Sequence, residues 1–597
     1  MAKIITVLGL MLCLTFGLTQ AGEELRAIAI TTQDSQATPI SYGHERYTLK
    51  KSLWKLGRYP KVYGFASFVS YNGQLSAACT RLDPCSLEVA LSQLKAGEGR
   101  SIFLAQGDYI LQNKIDLRVS GSVKYGFSLR NLPGASVHLK PDIQALYDDG
   151  GFISLRDVSF WRIQGLEISH LSSSKVASTL SAIRIEGASQ HIDILGNHIH
   201  HVASLNARGG SSALGIAVYG DHPQQSLHHI RISGNSLHDL RLGYSEGLTV
   251  AGNVEHFEIS YNHLYELDNI GIDAAGGYGH ACWQVRGNQQ NCRKRDYARK
   301  GRIHHNLVHH IDSRPNPAYS LRETNVAPAI YVDGARDIEV SYNRVYASGV
   351  GISLSSEQAG ARAESVQILY NEIYNNYRTG LNLGAESAEK GKVQNCLIAH
   401  NSFYNNDLSP EWGGEIYIEY NVSGCNIAHN LIYAHNWALD EGEAAKINLM
   451  VNDYLSVEES GSGGNWLEQN AYYSQGNATW FWQGHWIDQH SFAAFAQRQQ
   501  SQDLLLTSPP PLTHLPPHPD SNLATIDLSL ETPLNGYLDF AYGAHPSVNI
   551  DLQIANYLAN QNKQASLSLQ TRYQFKHTQT LKYPSQPTQT NQAQKNF

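Results

Sequence analysis

One short phrase recurs eight times between Ile194 and Tyr433: an Asn, any residue, an aliphatic residue or Phe, then His or Tyr. The copies begin at Asn197, Asn235, Asn262, Asn306, Asn343, Asn371, Asn401 and Asn430, and close at His200, His238, Tyr265, His309, Tyr346, Tyr374, Tyr404 and Tyr433. The intervals between the Asn residues are 38, 27, 44, 37, 28, 30 and 29. A unit recurring at this length implies stacked supersecondary repeats, each burying its apolar side only against its neighbours.

A second phrase alternates with the first. It places Ile183, Ile216, Leu248, Ile272, Ile330, Ile352, Leu381 and Ile416 at equivalent positions, with apolar residues in a period of two. That is strand patterning. Two or three short strands per unit, with no room for a long helix, predict one coil of a right-handed parallel β-helix, an all-β solenoid. A leucine-rich repeat would space its leucines more tightly, and a propeller blade would need four antiparallel strands. The handedness follows the general preference of parallel crossovers. The Asn at each turn is expected to bond to the coils above and below, which makes most of the repeated Asn, His and Tyr residues structural.

The 597 residues carry only 16% charged side chains and a net charge of −8. Bulk attraction to nucleic acid is therefore not expected, and an anionic polymer would need a local basic patch or a bridging cation. Residues 1–21 read as a secretory signal peptide: Lys3, an apolar run from Ile4 to Leu18, then a small residue two before Ala21. The expected location is secreted or periplasmic, with no membrane span and a monomeric state. Six cysteines follow the signal, in local pairs 79–85, 282–292 and 396–425. Cys396 and Cys425 occupy equivalent positions on consecutive coils, about 4.8 Å apart, so three disulfides are expected rather than a zinc site.

Residues 22–100 form an N-terminal segment that ends in a capping helix near 86–95, with Ser86 as N-cap and Gly97 as stop. An amphipathic helix before the first coil would close the open end of the solenoid. The helix, followed by the run from Ile102 to Tyr109, resembles the entry to the right-handed parallel β-helix proteins of the pectate-lyase-like superfamily. That group includes pectate, alginate and chondroitin lyases and related epimerases. The resemblance covers roughly residues 76–455 and implies the fold. It leaves the activity open, because this fold hosts several chemistries. The β-helix is expected over 101–455, a C-terminal cap region over 456–565 and a disordered tail over 566–597.

The longest interval contains the insertion 276–301, with Cys282, Cys292 and a basic run ending in Arg299 and Lys300. A second insertion, 313–328, adds Arg314 and Arg322. Strand alternation sets one outward row through Arg184, Ala217, Thr249, Asp273, Tyr331, Ser353, Asn382 and Tyr417. A second row runs through Glu186, Tyr219, Ala251, Ala275, Asp333, Ser355, Gly384 and Glu419. Asp273 and Asp333 fall on consecutive coils of one face, with Glu246 and Asp268 flanking and Glu357 on the next coil. Clustered carboxylates suit a hard cation such as calcium, so Asp273, Asp333, Glu246 and Asp268 are the candidate metal ligands. Tyr331, Arg314, Arg322, Asn382 and Glu357 are candidate substrate-binding residues.

The resemblance implies a polysaccharide lyase acting on an acidic, uronate-containing glycan by β-elimination. In such families an Arg or Lys is commonly the base, a role that would fall to Arg299 or Lys300, with Asp273 and Asp333 completing the catalytic set. Two alternatives stay open: hydrolysis by a carboxylate pair or epimerisation in the same groove, and carbohydrate binding without catalysis.

Overall fold

The computed structural model describes residues 65–142, 149–319, 324–408, 413–434, 448–453, 463–474 and 476–507. The expected signal peptide, the expected tail and Arg322 lie outside them. Among the described residues, three long sheets of 16, 13 and 13 strands form, and each coil visits them in turn. One coil runs through Val254–Ser260 in the first sheet, His263–Leu267 in the second and Ile272–Ala275 in the third. The chain then re-enters the first sheet at Arg299–His304. Neighbouring coils pair in parallel, and the chain is a right-handed parallel β-helix.

The register is the one set by alternation. Ile183, Ile216, Leu248, Ile272, Ile330, Ile352, Leu381 and Ile416 pair in sequence along the third sheet. All eight are 0% exposed. Burying such side chains contributes about 1.5–3 kcal/mol apiece, so the apolar row alone commits each strand to one face.

The Asn ladder is continuous from Asn197 to Asn470. Asn306 is typical. Its side-chain amide donates to Asn343 Oδ1 at 2.9 Å and to the Ile259 carbonyl at 3.0 Å. Its own Oδ1 accepts from the backbone and the side chain of Asn262, both at 3.0 Å. The last rung, Asn470, hands over to Asp503 Oδ1. The residue just before each rung bends the chain through the left-handed region: Gly196 and Gly234, then Tyr261, His305, Tyr342, Tyr370, His400 and His429, at φ from 55° to 68°. A side chain there costs about 1–2 kcal/mol. The rings of Tyr261, His305, Tyr342, Tyr370, His400 and His429 stack at 4.9–5.1 Å in one column. Stacking contributes about 0.5–1.5 kcal/mol per pair and offsets that cost.

Both ends of the solenoid differ from expectation. The helix is shorter, Leu87–Ser92, and is capped by Ser86 accepting from Val89. It does not precede the first strand, because Phe65–Gln74 already pairs in parallel with Arg100–Leu104. At the other end coils continue past Tyr454 through Trp466–Glu468, Ala471–Ser474 and Ala478–Trp482. The third sheet then turns back antiparallel at His485–Asp488, and Phe492–Gln499 is helical. The repeated phrase fades there while the pairing continues.

Two disulfides are present, Cys79–Cys85 and Cys282–Cys292. Cys396 and Cys425 are free, buried thiols, which corrects the third expected pairing. Their coil register is right, since the next residues Leu397 and Asn426 are paired. In-register neighbours keep their Cβ atoms parallel and about 4.8 Å apart, beyond the roughly 3.5–4.5 Å a disulfide spans.

Candidate active site

A groove of about 980 Å³ crosses the outer face of the third sheet. Its floor takes one or two residues from each of eight successive strands, from Arg184 through Thr249, Asp273, Tyr331 and Asn382 to Tyr417. These are the outward rows, paired residue for residue. At about 4.8 Å per coil the floor is roughly 34 Å long.

One wall is the loop between Ala275 and Arg299. Asp296 holds it closed by accepting from the backbone of Gly279 and, at 2.8 Å, of Ala281, and Cys282–Cys292 pins its tip. Gly277, at φ +92°, makes the turn that brings the following Tyr278 over the floor. A Cβ there would lie 2.6 Å from Ala361 Cβ. His280 stacks on Tyr219 at 4.8 Å and meets Trp283 edge-on at 4.3 Å. Trp283 is 54% exposed. The opposite wall carries Tyr244, also half-exposed, whose hydroxyl donates to the Ala318 carbonyl at 3.0 Å.

The centre of the floor is acidic. Asp273 and Asp333 are buried, Glu246 is partly covered and Glu357 is exposed. Tyr278 donates its hydroxyl to Asp333 and reaches Glu357 Oε2 at 3.0 Å. Tyr331 donates to Glu357 Oε1 at 3.2 Å, and the Glu357 backbone donates to Asp333 Oδ1 at 2.8 Å. Asp273 Oδ1 is buried without a hydrogen-bond partner. Burial, reinforced by neighbouring carboxylates, pushes Glu246 up to about 8, Asp333 up to about 7 and Asp273 well above the usual carboxylate range. Burial and the same carboxylates push the Tyr278 and Tyr331 phenols upward, so both stay protonated. Arg184, Arg378 and Lys390 also line the groove. Arg184 lies over the Tyr219 ring and pairs with Glu186 at 2.9 Å.

Of the residues singled out in the sequence, the fold brings Asp273, Asp333, Tyr331, Glu246, Glu357 and Asn382 to this groove. It places Arg299 and Lys300 elsewhere. They open a strand of the first sheet and pair with Glu255 at 3.3 and 3.0 Å. The loop leaves the third sheet and ends on the first, so its last basic residues are carried round the corner. Arg314 is taken up by Asp312 at 2.7 Å and covers the Tyr377 ring. Asp268 accepts from the Leu242 backbone at 2.6 Å and braces a turn. Tyr278, Trp283, Arg378 and Lys390 were not foreseen. Only Tyr278 and Trp283 carried a signal, lying in the longest insertion.

A floor of this length, shaped by a pinned loop and centred on buried carboxylates, defines a right-handed parallel β-helix protein with a long acidic groove on one face. The chain belongs to the family of the uncharacterized protein YwoF of Bacillus subtilis (strain 168), with which it is 30% identical over 440 residues, covering 73% of this chain and 86% of that protein. No family model matches the chain. Solved structures similar to it include an exopolygalacturonase from Thermotoga maritima (TM-score 0.43, 9% identity, 72% of this chain and 96% of that one). An alginate lyase from Paenibacillus sp. str. FPU-7 (TM-score 0.36, 14% identity) covers 61% of this chain and 94% of its own.

Proposed function

We propose that this protein is an exported enzyme that cleaves a polysaccharide lying along the third sheet, and that it does so by glycoside hydrolysis. One observation carries the reading: Asp333, raised to about 7, and the exposed Glu357 share the Tyr278 hydroxyl at the middle of the groove. A carboxyl that keeps its proton near neutrality can protonate a leaving glycosidic oxygen, while a carboxylate close enough to share one hydroxyl with it attacks the anomeric carbon. The first group, now ionised, then takes a proton from the water that releases the sugar. Asp333 is assigned the acid role, its proton held in place by burial and by the neighbouring Glu357. Glu357 is assigned the nucleophile role. Exposed Trp283 and Tyr244 offer faces for sugar rings, and Arg184, Arg378 and Lys390 suit acidic substituents. The two disulfides agree with an oxidising compartment.

The phenols of Tyr278 and Tyr331 favour a second reading, β-elimination on a uronate. Either could serve as the base only after the surrounding negative charge is neutralised. Calcium, the cation that the superfamily resemblance implies, fits the all-oxygen donor set of Glu246, Asp273, Asp333 and Glu357, and the unpartnered Asp273 Oδ1 in particular. Bound there, it would supply the positive charge that holds a substrate carboxylate.

A panel of acidic and neutral glycans, each assayed with calcium and with chelator, tests both readings. New reducing ends without ultraviolet absorbance support hydrolysis. An unsaturated uronate chromophore that depends on calcium supports elimination and overturns the first reading. Altered uronate composition without cleavage indicates an epimerase. Binding without any product removes the enzymatic reading altogether.

A further inference from the structure

The second sheet carries a different constellation, away from the groove. The strands Glu167–Ser173, His198–Ser204 and Ser236–Leu240 pair in parallel, with Glu167 opposite His198 and His200 opposite His238. Residues 198 and 200 share a face because strand side chains alternate. His200 Nε2 lies 3.2 Å from Glu167 Oε1. One ligating atom each from Glu167, His198 and His200 falls within 4.8 Å of the other two. All three are partly accessible, with the Glu167 side chain 30% and the His200 side chain 11% exposed.

We infer that Glu167, His198 and His200 form a binding site for a divalent transition-metal ion of the zinc class, tying two consecutive coils together. Two imidazoles and a carboxylate with a further position open to water are a common zinc donor set, at metal distances of about 2.0–2.2 Å. Tetrahedral ligand atoms then sit roughly 3.3 Å apart, a separation His200 and Glu167 already have. His198 Nε2 faces His238 Nε2 at 2.6 Å, too close for an ion between them. His238 in turn is held through Nδ1 by Asp239 at 2.6 Å. Metal binding therefore exchanges the His198–His238 contact for a bond to the ion, and Asp239 keeps His238 in place beside it.

The bland explanation is that these histidines only fill the aromatic row. His200 and His238 do stack at 5.1 Å, and the same row continues through Tyr265, His309 and Tyr346. Stacking does not explain the adjacent row, where Glu167 and His198 turn toward His200. That row carries Ser236, His263 and Leu307 on the next coils, which offer no carboxylate. On the preceding coils it carries Asp108 and His138, where His138 Nε2 lies 3.6 Å from Glu167 Oε1 and brings a third imidazole to the same corner. A separate group, His191, His228 and His229, also lies close. His191 and His229 are stacked face to face at 4.6 Å, which points their nitrogens alongside rather than at one another.

The test is calorimetric titration of ZnCl2 into the full-length, chelator-treated protein. One zinc per chain is expected, with a Kd of about 10 µM or tighter. His198→Ala should weaken binding at least tenfold. His200→Tyr should do the same while keeping the fold, because Tyr is the residue the row itself uses at 265 and 346. Circular dichroism confirms that each variant is folded. No zinc uptake by the unaltered protein, or undiminished uptake by folded His200→Tyr, overturns the assignment. Loss of uptake only in His229→Ala moves the site to the other histidine group and overturns it equally.

Discussion

Tyr278, on the disulfide-pinned loop, donates its hydroxyl to Asp333 on the sheet floor. Wall and floor of the groove are thereby joined at the point where the carboxylates converge. The contact couples the placement of the long loop to the ionisation of a carboxyl on the sheet floor.

Substitutions separate the groove from the basic residues beside it. Asp273→Asn should lower activity on the true substrate at least tenfold, about 1.4 kcal/mol of barrier. It should leave thermal unfolding unchanged or slightly improved, since the amide replaces a carboxyl that burial already keeps protonated. Lys300→Ala, which loses only the Glu255 pair on another sheet, should change kcat/KM less than twofold. Activity per folded molecule and the unfolding temperature, measured together, check both. An early-melting Asp273→Asn with intact activity would make Asp273 a scaffold residue.

The pH dependence of stability follows from the same cluster. Glu246 and Asp333 hold their protons in the folded chain up to about 8 and about 7. In the unfolded chain they release them at the ordinary carboxyl values of 4.5 and 3.8. Between those limits the folded state binds more protons, so stability falls as pH rises. Glu246→Gln should therefore gain stability relative to the unaltered protein as pH rises from 5 to 8, the buried histidines contributing equally to both. A difference in unfolding temperature that stays flat over this range in the absence of calcium would contradict the raised value of Glu246.

The ladder has a measurable worth. Asn306→Ala leaves the Asn262 backbone and the Ile259 carbonyl without their buried partner. Each unsatisfied group costs about 1–3 kcal/mol, so a loss of roughly 2–5 kcal/mol is expected in denaturant unfolding. A loss below about 1 kcal/mol would mean that water replaces the amide.

Thiol titration checks the cysteines. Cys396 and Cys425 are buried and free, so they should resist a thiol reagent in the folded protein and both react after unfolding. Recovery of a 396–425 disulfide from unreduced protein would restore the bond that the coil spacing first suggested.

The fold was legible because two periodicities repeat: the alternation that sends Ile272 inward and Asp273 outward, and the Asn that marks each turn. Both are local properties of a strand, so sequence spacing carried them into the correct register. The acidic half of the site followed, since Asp273 and Asp333 belong to those strands. The basic half did not. Arg299 is far from Asp273 along the chain and adjacent in the coil order, yet a turn between sheets separates the directions in which they face. Tyr278 and Trp283 depend on how the loop folds back, which rests on Asp296 and a disulfide rather than on any repeat.

The rungs of the ladder are separated by anything from 27 to 44 residues of chain, and each asks of its coil only one Asn and one bent residue before it. Length between rungs is thus free, and the scaffold is indifferent to what is spliced into its corners. Such an architecture can lengthen its groove by whole coils or rebuild a wall by swapping one loop, without renegotiating the core. In a lineage of these proteins, substrate range would be expected to diverge at the corners first, while the stacked amides stay the same.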